Sequence, residues 1–302
     1  MFTTFDEIFA ELRGRGARKR MVAAWGVASH TVAAAGKAVE LGLADVTLVG
    51  DEKKIAEACR EEGVDAAVFD IVHNPEELSS VAQAVGMVRE GKGDFLMNGL
   101  CSTDKFLRAI LNKETGLLPP KGTLTHCTTL QIPGYHKLLF VGDVAVIPAP
   151  DIKQKQVIME FLVKTAKAVG VEKPKVAIIA ATEQVLASQP ATIDAALLSK
   201  MVDRGQIKGC IADGPLALDV AIDEESVAIK GLVSPVAGDA DCLLFPNIES
   251  GNVFYKANSK LVAGVRQAGI LVGAKVPCVL SSRADSIDTK LNSIAIAAMS
   301  VK

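Results

Sequence analysis

At 302 residues the chain is long enough for about two domains of ordinary size, and with 49% apolar but only 4% aromatic residues it has the aliphatic make-up of an α/β protein. A formal charge of -2 leaves no electrostatic footprint for a polyanion, and so few aromatics leave no stacking platform, which excludes nucleic acid as a partner. No run approaches the ~20 apolar residues needed to span a bilayer, so no membrane role is expected.

In chain order, a short amphipathic helix with Asp6, Glu7 and Glu11 leads to the basic run Arg13-Gly14-Arg15-Gly16-Ala17-Arg18-Lys19-Arg20. That run passes straight into the apolar strand Met21-Val22-Ala23-Ala24-Trp25, so it reads as a helix end and turn. Transit peptides are poor in acids, and secretory signals place an apolar segment and a cleavage site after their basic residues. Neither pattern fits, which places the chain in the cytoplasm. Periodicity then predicts a helix over 30–41, a strand over 46–50, helices over 52–62 and 75–90, a strand over 95–97 and a helix over 103–112. The Gly/Pro-rich connection 116–122 approaches a domain boundary. The second half gives a strand-pair region over 138–147, a helix over 152–168, a strand over 175–180 and a helix over 191–202. Strand exits follow around 209–215 and 242–246, then a helix over 253–267 and a strand over 270–272. Last come the buried strand Val276-Pro277-Cys278-Val279-Leu280 and a helix whose apolar positions Ile287, Leu291, Ile294, Ala295 and Met299 share one face. This alternation argues for mainly parallel sheets flanked by helices. The expected division is a first α/β domain of 1–127 plus 279–302 and a second of 128–278.

The six cysteines, at 59, 101, 127, 210, 242 and 278, form no CxxC pair, and several sit in apolar runs where a reduced thiol behaves as a small hydrophobe. The four histidines, at 30, 73, 126 and 136, are scattered, and adjacent His126 and Cys127 are poor geometry for one metal, so no metal site is expected.

Several strand exits carry polar residues beside glycine: Asn98-Gly99, Asp213-Gly214, and Asn247 with Glu249-Ser250-Gly251-Asn252. Ligands of open α/β sheets bind outside the carboxyl ends of strands, although the same residues also make ordinary turns. There is no Walker A sequence, no G-x-S-x-G elbow, and Gly14-x-Gly16 precedes a strand where a dinucleotide fingerprint must follow one. The strongest local signal is Ser281-Ser282-Arg283-Ala284-Asp285-Ser286, between a strand and a helix. Two hydroxyls and a guanidinium stand there at a helix N-terminus that already favours negative charge, so an anion such as phosphate is the first expectation. The competing reading is plain N-capping by Ser or Asp.

The stretch from Ser234-Pro235-Val236-Ala237-Gly238 through Asp239-Ala240-Asp241-Cys242-Leu243-Leu244-Phe245-Pro246-Asn247-Ile248-Glu249-Ser250-Gly251-Asn252 to Tyr255-Lys256 resembles the long signature of the phosphate acetyl/butyryltransferase family. The segments 106–117 and 203–219 look like its butyryltransferase branch. Ser282-Arg283-Ala284-Asp285-Ser286, with Lys290 and Asn292-Ser293-Ile294-Ala295, completes a resemblance that runs in order along essentially the whole chain.

The resemblance implies reversible transfer of a short acyl group, butyryl favoured, between coenzyme A and inorganic phosphate. It implies an isocitrate/isopropylmalate dehydrogenase-like fold of two α/β domains with the active cleft between them, and a homodimer or larger homo-oligomer. It implies no bound cofactor, the coenzyme A thioester and phosphate being substrates. Carried over residue by residue, Ser282, Arg283 and Arg108 are the expected catalytic side chains. Two departures stand out. The family's acidic residue six positions after the arginine is Thr289 here, with Asp288 one position off and turned by about 100° on the helix. The branch often has Lys-Gly where this chain has Asn98-Gly99. Asp288 is retained as the fourth catalytic candidate, and Asn98, Gly99, Ser102, Thr103, Asn247, Ser250, Gly251 and Asn252 as substrate or coenzyme A contacts. The alternatives are a phosphate acetyltransferase and a non-catalytic coenzyme A- or phosphate-binding protein on the same scaffold.

Overall fold

The computed structural model describes residues 1–280 and 285–301. From the start, the chain forms α1 (Phe5–Gly14), β1 (Lys19–Ala24), α2 (Ser29–Glu40), β2 (Ala44–Gly50), α3 (Glu52–Glu62), β3 (Asp70–His73), α4 (Glu77–Arg89), β4 (Phe95–Asn98) and α5 (Thr103–Leu111). It continues with β5 (Thr125–Gln131), β6 (Leu139–Gly142), α6 (Ile152–Ala168), β7 (Lys175–Ile179), α7 (Pro190–Asp203), β8 (Ile211–Leu216), α8 (Leu218–Ile222), α9 (Glu224–Lys230), β9 (Cys242–Leu244) and α10 (Ile248–Leu261). The last elements are β10 (Arg266–Val272), β11 (Cys278–Val279) and α11 (Ile287–Ser300).

Two compact units emerge. One holds Phe5–Leu124 with Arg266–Lys302, the other Met1–Thr4 with Thr125–Val265. The chain therefore returns to the first unit at 266, where the sequence reading put the return at 279. The cause is β10, which pairs antiparallel with β11 through Ile270 and Leu271 and carries α11 on its face. The expected helix over 253–267 runs past this point. The helix in fact ends at Leu261, and Arg266 opens the strand.

In the first unit the strands lie in the order β3-β2-β1-β4-β11-β10. The pairs β3·β2, β2·β1, β1·β4 and β4·β11 are parallel. Met21 to Ala24 and Phe95 to Asn98 are buried without a break, as expected of central strands covered by helices on both faces. The edge strand β3 is mostly exposed, and its Asp70 and His73 discourage further pairing. Only Ile71-Val72 mark it in the sequence, too short an apolar run to announce a strand.

Helix α11 is buried from Lys290 to Met299, so its position is over-determined. Ser293 Oγ accepts the Gly269 N–H at 2.9 Å, and Asn292 donates to Gln267 O at 3.2 Å and accepts from Arg266 at 3.2 Å. The same Arg266 pairs with Asp6 at 2.9 Å and lies over the rings of Phe5 and Phe9, tying α1 to the pair. The basic run is likewise absorbed locally: Arg15 pairs with Glu11, Arg18 with Asp45, and Arg20 holds Asp94 through backbone and guanidinium. These pairs fit the reading of a helix end and turn.

In the second unit the order is β5-β6-β9-β7-β8, with only β5·β6 antiparallel. The segment 138–147 supplies one strand of its expected pair, β6; the partner is β5, and 143–147 is a loop. Leu139, Val141, Leu216, Leu243 and Phe245 lie in the core on one face of this sheet. An ion network closes its amino end. Lys137 Nζ lies 2.8 Å from both Asp239 and Asp241, Lys175 Nζ is 2.7 Å from Asp239, and His136 Nε2 is 2.8 Å from Asp239. Burial pushes the Asp239 pKa up, yet the hydrogen bonds from Lys137, Lys175 and His136 outweigh it and hold the carboxyl well below the ordinary range.

Two outcomes follow. A Cβ at position 99 would lie 2.1 Å from the Trp25 carbonyl oxygen, whereas at position 86 in α4 it would meet nothing within 4 Å. Gly99→Ala should lower stability by about 2–3 kcal/mol, an overpacking cost against backbone. The same change at Gly86 should raise it by about 0.5–1 kcal/mol through helix propensity, with urea midpoints as the measurement. For Asp239, the lowered pKa means its contribution is complete above about pH 4, the unfolded-chain value, and is lost as pH falls further. Asp239→Asn should be less stable at neutral pH and show a flatter loss of stability during acid titration below pH ~4.

Candidate active site

In the first unit, β1, β4 and β11 run parallel with Ala23, Met97 and Val279 side by side. Their carboxyl ends therefore face the same way. The strand order reverses between β1 and β4, since β2 lies on one side of β1 and β4 on the other. Such a switch point is where an open α/β sheet parts its loops and takes ligands. The starts of α2, α5 and α11 follow from these three strands, and each presents amide donors and a positive dipole end.

The two loops at the switch point touch through backbone. Trp25 leaves β1 with φ +54°, and its carbonyl accepts the Leu100 N–H at 3.0 Å while Gly99 donates to Ala24 O at 2.9 Å. Only glycine fits position 99. Asn98, at the end of β4, is 2% exposed, so its side chain belongs to the packed end of the strand. Ser102 caps α5 by accepting the Lys105 N–H at 3.4 Å, and Thr103 opens the helix at the surface. At α2 the N-cap position is Ala28, which has no side chain to offer.

At α11 the cap is Ser286, whose hydroxyl accepts the Thr289 N–H at 3.1 Å. Thr289 Oγ1 lies 3.1 Å from the same hydroxyl, and Asp288 is exposed on the first turn. Ser282 and Arg283 lie outside the described residues. Arg108 stands in the last turn of α5, its side chain 80% exposed and paired with Asp104 at 3.0 Å. Its five-residue offset from Thr103 places it about 8 Å along the helix from the strand exits.

The second unit carries the remaining predicted residues at the adjacent ends of β6 and β9, where Gly142 pairs with Leu244. Asn247 caps α10 by accepting the Ser250 N–H at 3.0 Å, and the Ser250 hydroxyl returns to Asn247 Oδ1 at 2.8 Å. A Cβ on Gly251 would sit 2.6 Å from Asp143 O. The Asn252 amide donates to Val144 O at 2.9 Å. All four build the helix start.

The residue behind them is Asp143, which sequence reading passed over. It is 2% exposed, and its two carboxylate oxygens accept from the Thr125 hydroxyl at 2.7 Å and from the backbone N–H groups of His126, Ala145, Val146 and Ile147. Five donors meet a buried carboxylate, the arrangement that makes such a charge tolerable. An Asp directly after the apolar run Leu139 to Gly142 was the available signal.

The thiols are unsuited to act as nucleophiles. All six cysteines are free and buried. Burial pushes Cys101, next to the α5 start, up to about 11, and Cys127 and Cys278 up to about 12, leaving little thiolate at neutral pH. Among the described residues no three His, Cys, Asp or Glu side chains gather as metal ligands.

Comparison with known proteins places this geometry. Residues 76–298 match the family described as phosphate acetyl/butaryl transferase. The phosphate butyryltransferase of Clostridium acetobutylicum is 45% identical over 301 residues, covering 99% of this chain and 98% of its own. The phosphate acetyltransferase of Thermotoga maritima is 38% identical, covering 97% and 98%. Among solved structures, a branched-chain phosphotransacylase from Enterococcus faecalis V583 aligns with TM-score 0.83 at 28% identity over 94% of this chain and 99% of that one. A 4-hydroxythreonine-4-phosphate dehydrogenase from Burkholderia phymatum, at 14% identity and TM-score 0.55 over 95% of this chain and 99% of its own, shares the fold alone. The strand exits, the capped helix starts and these matches agree: the chain belongs to the phosphate acetyl/butyryltransferase family and is an acyltransferase.

Proposed function

We propose that this enzyme exchanges a short acyl group, butyryl in preference, between coenzyme A and inorganic phosphate. A phosphate oxygen attacks the thioester carbonyl carbon, the C–S bond breaks, and acyl phosphate and the coenzyme A thiolate leave. In the reverse direction the thiol gives up its proton and attacks the acyl phosphate. The butyryl preference is supported by the 45% identity to a phosphate butyryltransferase along nearly the whole chain.

The observation that carries the reading is the cap of α11. Ser286 satisfies the helix start, and in the sequence Arg283 and Ser282 stand three and four residues before it. In the proposal they meet the substrates. Phosphate is a weak nucleophile and charge develops on the carbonyl oxygen and the sulfur, so catalysis rests on positioning and electrostatic stabilisation. The planar guanidinium of Arg283 holds phosphate through two parallel hydrogen bonds, a geometry that a lysine lacks. Ser282 donates to the sulfur or a phosphate oxygen, and Arg108 supplies a second cation from α5. Asp288, exposed on the first turn of α11, takes the thiol proton in the reverse direction. Asn98, Gly99, Ser102 and Thr103 contact substrate from the first unit, and Asn247, Ser250, Gly251 and Asn252 from the second.

Six free, buried thiols suit a reducing compartment, which supports the cytoplasm as its location. The exposed apolar side chains Ile229, Val233 and Leu261 support assembly into a homodimer or larger homo-oligomer.

A thiol-release assay with butyryl-CoA and acetyl-CoA, each with and without phosphate, tests the proposal. Phosphate-dependent release is expected from both, faster from butyryl-CoA. Faster release from acetyl-CoA would make it an acetyltransferase, and none from either would leave only a binding protein. Within the active enzyme, Arg283→Lys should cost about 10²-fold or more in turnover, the loss of one preorganised donor pair, whereas Arg60→Lys on α3 should leave it unchanged. Equal losses would remove Arg283 from the site.

A further inference from the structure

The loop 143–148 leaves β6 and helix α10 leaves β9 at the same edge of the second unit's sheet, because the two strands are parallel and Gly142 pairs with Leu244. Two sets of hydrogen bonds fix this loop. The first converges on the Asp143 carboxylate: Oδ1 accepts the N–H groups of Ala145 at 2.7 Å and Val146 at 2.9 Å, and Oδ2 accepts that of Ile147 at 3.2 Å. Oδ2 also takes the Thr125 hydroxyl at 2.7 Å and the His126 N–H at 3.3 Å, which fastens the loop to the start of β5. The second set joins the loop to α10. Pro148 O accepts the Ile248 N–H and Val144 O accepts the Asn252 amide, both at 2.9 Å. A Cβ on Gly251 would stand 2.6 Å from Asp143 O, so loop and helix meet backbone to backbone. Little else holds the helix start. Among the described residues of α10, Gly251 alone is buried, and the half-buried Phe254 and Tyr255 that pack on the core lie beyond the first turn. The place of that first turn therefore follows the loop, and the loop follows the carboxylate. Asp241 gives the contrast. It is 3% exposed against 2% for Asp143, but it accepts the Lys175 N–H and pairs with Lys137 at the opposite, amino end of the sheet.

On the proposed acyl-transfer reading, we infer that Asp143 is a positioning residue for the substrate contacts of the second unit. Its carboxylate sets the loop, the loop sets the start of α10, and that start carries Asn247, Ser250, Gly251 and Asn252. Shape alone does not meet this demand. An asparagine that kept Oδ1 for Ala145 and Val146 would turn its own N–H groups against the N–H donors of His126 and Ile147.

The test compares Asp143→Asn and Thr125→Val with Asp241→Asn in the full chain. Three quantities are read: kcat and KM in phosphate-dependent release of coenzyme A from butyryl-CoA, the rise in urea midpoint produced by coenzyme A, and amide hydrogen exchange at Ile248 and Ser250. Asp143→Asn should raise the KM about 10-fold with kcat within about threefold, the signature of lost binding, and should shrink the midpoint rise. Exchange at Ile248 and Ser250 should quicken about 10-fold in the same variant, through local opening of the helix start. Thr125→Val removes one of the donors to the carboxylate and should move KM and exchange the same way, by about threefold. Asp241→Asn should lower the urea midpoint while KM and exchange at both amides stay as in the wild type, which separates positioning from a general loss of stability. Wild-type KM or wild-type exchange in Asp143→Asn would overturn the inference, as would an equal rise in KM in Asp241→Asn. If Asp143→Asn does not fold, Thr125→Val decides, and wild-type KM or exchange there overturns it. A wild type that releases no coenzyme A but gains stability from it sinks only the acyl-transfer reading, and the midpoint and exchange series then decide for Asp143. A wild type that shows neither response overturns both.

Discussion

The first unit depends on one constraint: β11 must lie parallel to β4 although it follows it by about 180 residues of chain. That pairing is only two residues long, Cys278 with Leu96 and Val279 with Met97, so the strand bonds alone could not hold it. The holding is done by α11 and β10. An almost fully buried helix is pinned by Ser293, Asn292 and Arg266 to the antiparallel partner of β11. Moving α11 by one residue would strand these buried polar groups at about 1–3 kcal/mol each, so the helix start is delivered to a fixed place beside the exits of β1 and β4.

At those exits, close packing and chemistry compete for the same residues. A cap contributes about 1 kcal/mol to a helix, while a catalytic donor contributes about 3–4 kcal/mol to a transition state. Where one hydroxyl can do only one task, the stronger demand should decide its place. At α11 the hydroxyl of Ser286 serves as the cap. α5 has only Ser102, which is committed to the Lys105 amide, and α10 commits both Asn247 and Ser250 to its own start. On this accounting Asn247 and Ser250 are spent on the start of α10.

Much of this was legible from the residues. Continuous apolar runs such as Met21 to Ala24 and Phe95 to Met97 announce central strands because both faces are covered, and Ser286 could be named as the better cap because a serine directly before a periodic apolar run has few other uses. What stayed hidden shares a physical cause: it depends on partners distant in sequence. The strand β5 begins Thr125-His126-Cys127-Thr128-Thr129, polar in composition yet buried, and Asp143 takes the Thr125 hydroxyl and the His126 N–H from 18 and 17 residues away. The short β3 is a strand only because β2 is there to pair with it. The return at 266 rests on Arg266 finding Asp6, a partner 260 residues back in the chain. Periodicity reports how one segment meets a generic core, and none of these segments does.

The departure at Thr289 gains a physical meaning from the same geometry. Thr289 gives its amide to Ser286 and brings its hydroxyl within 3.1 Å of the same oxygen, so it strengthens the turn that leads out of the motif. A carboxylate at that position would accept the Ser286 hydroxyl proton, or the Ser286 N–H in a capping box, but could not donate to Ser286 as the Thr289 hydroxyl can. One residue earlier, Asp288 puts a negative charge in the first turn, where the helix dipole stabilises it and it stays exposed to solvent. Threonine at 289 thus makes the turn, and Asp288 stays exposed beside it on the first turn of α11.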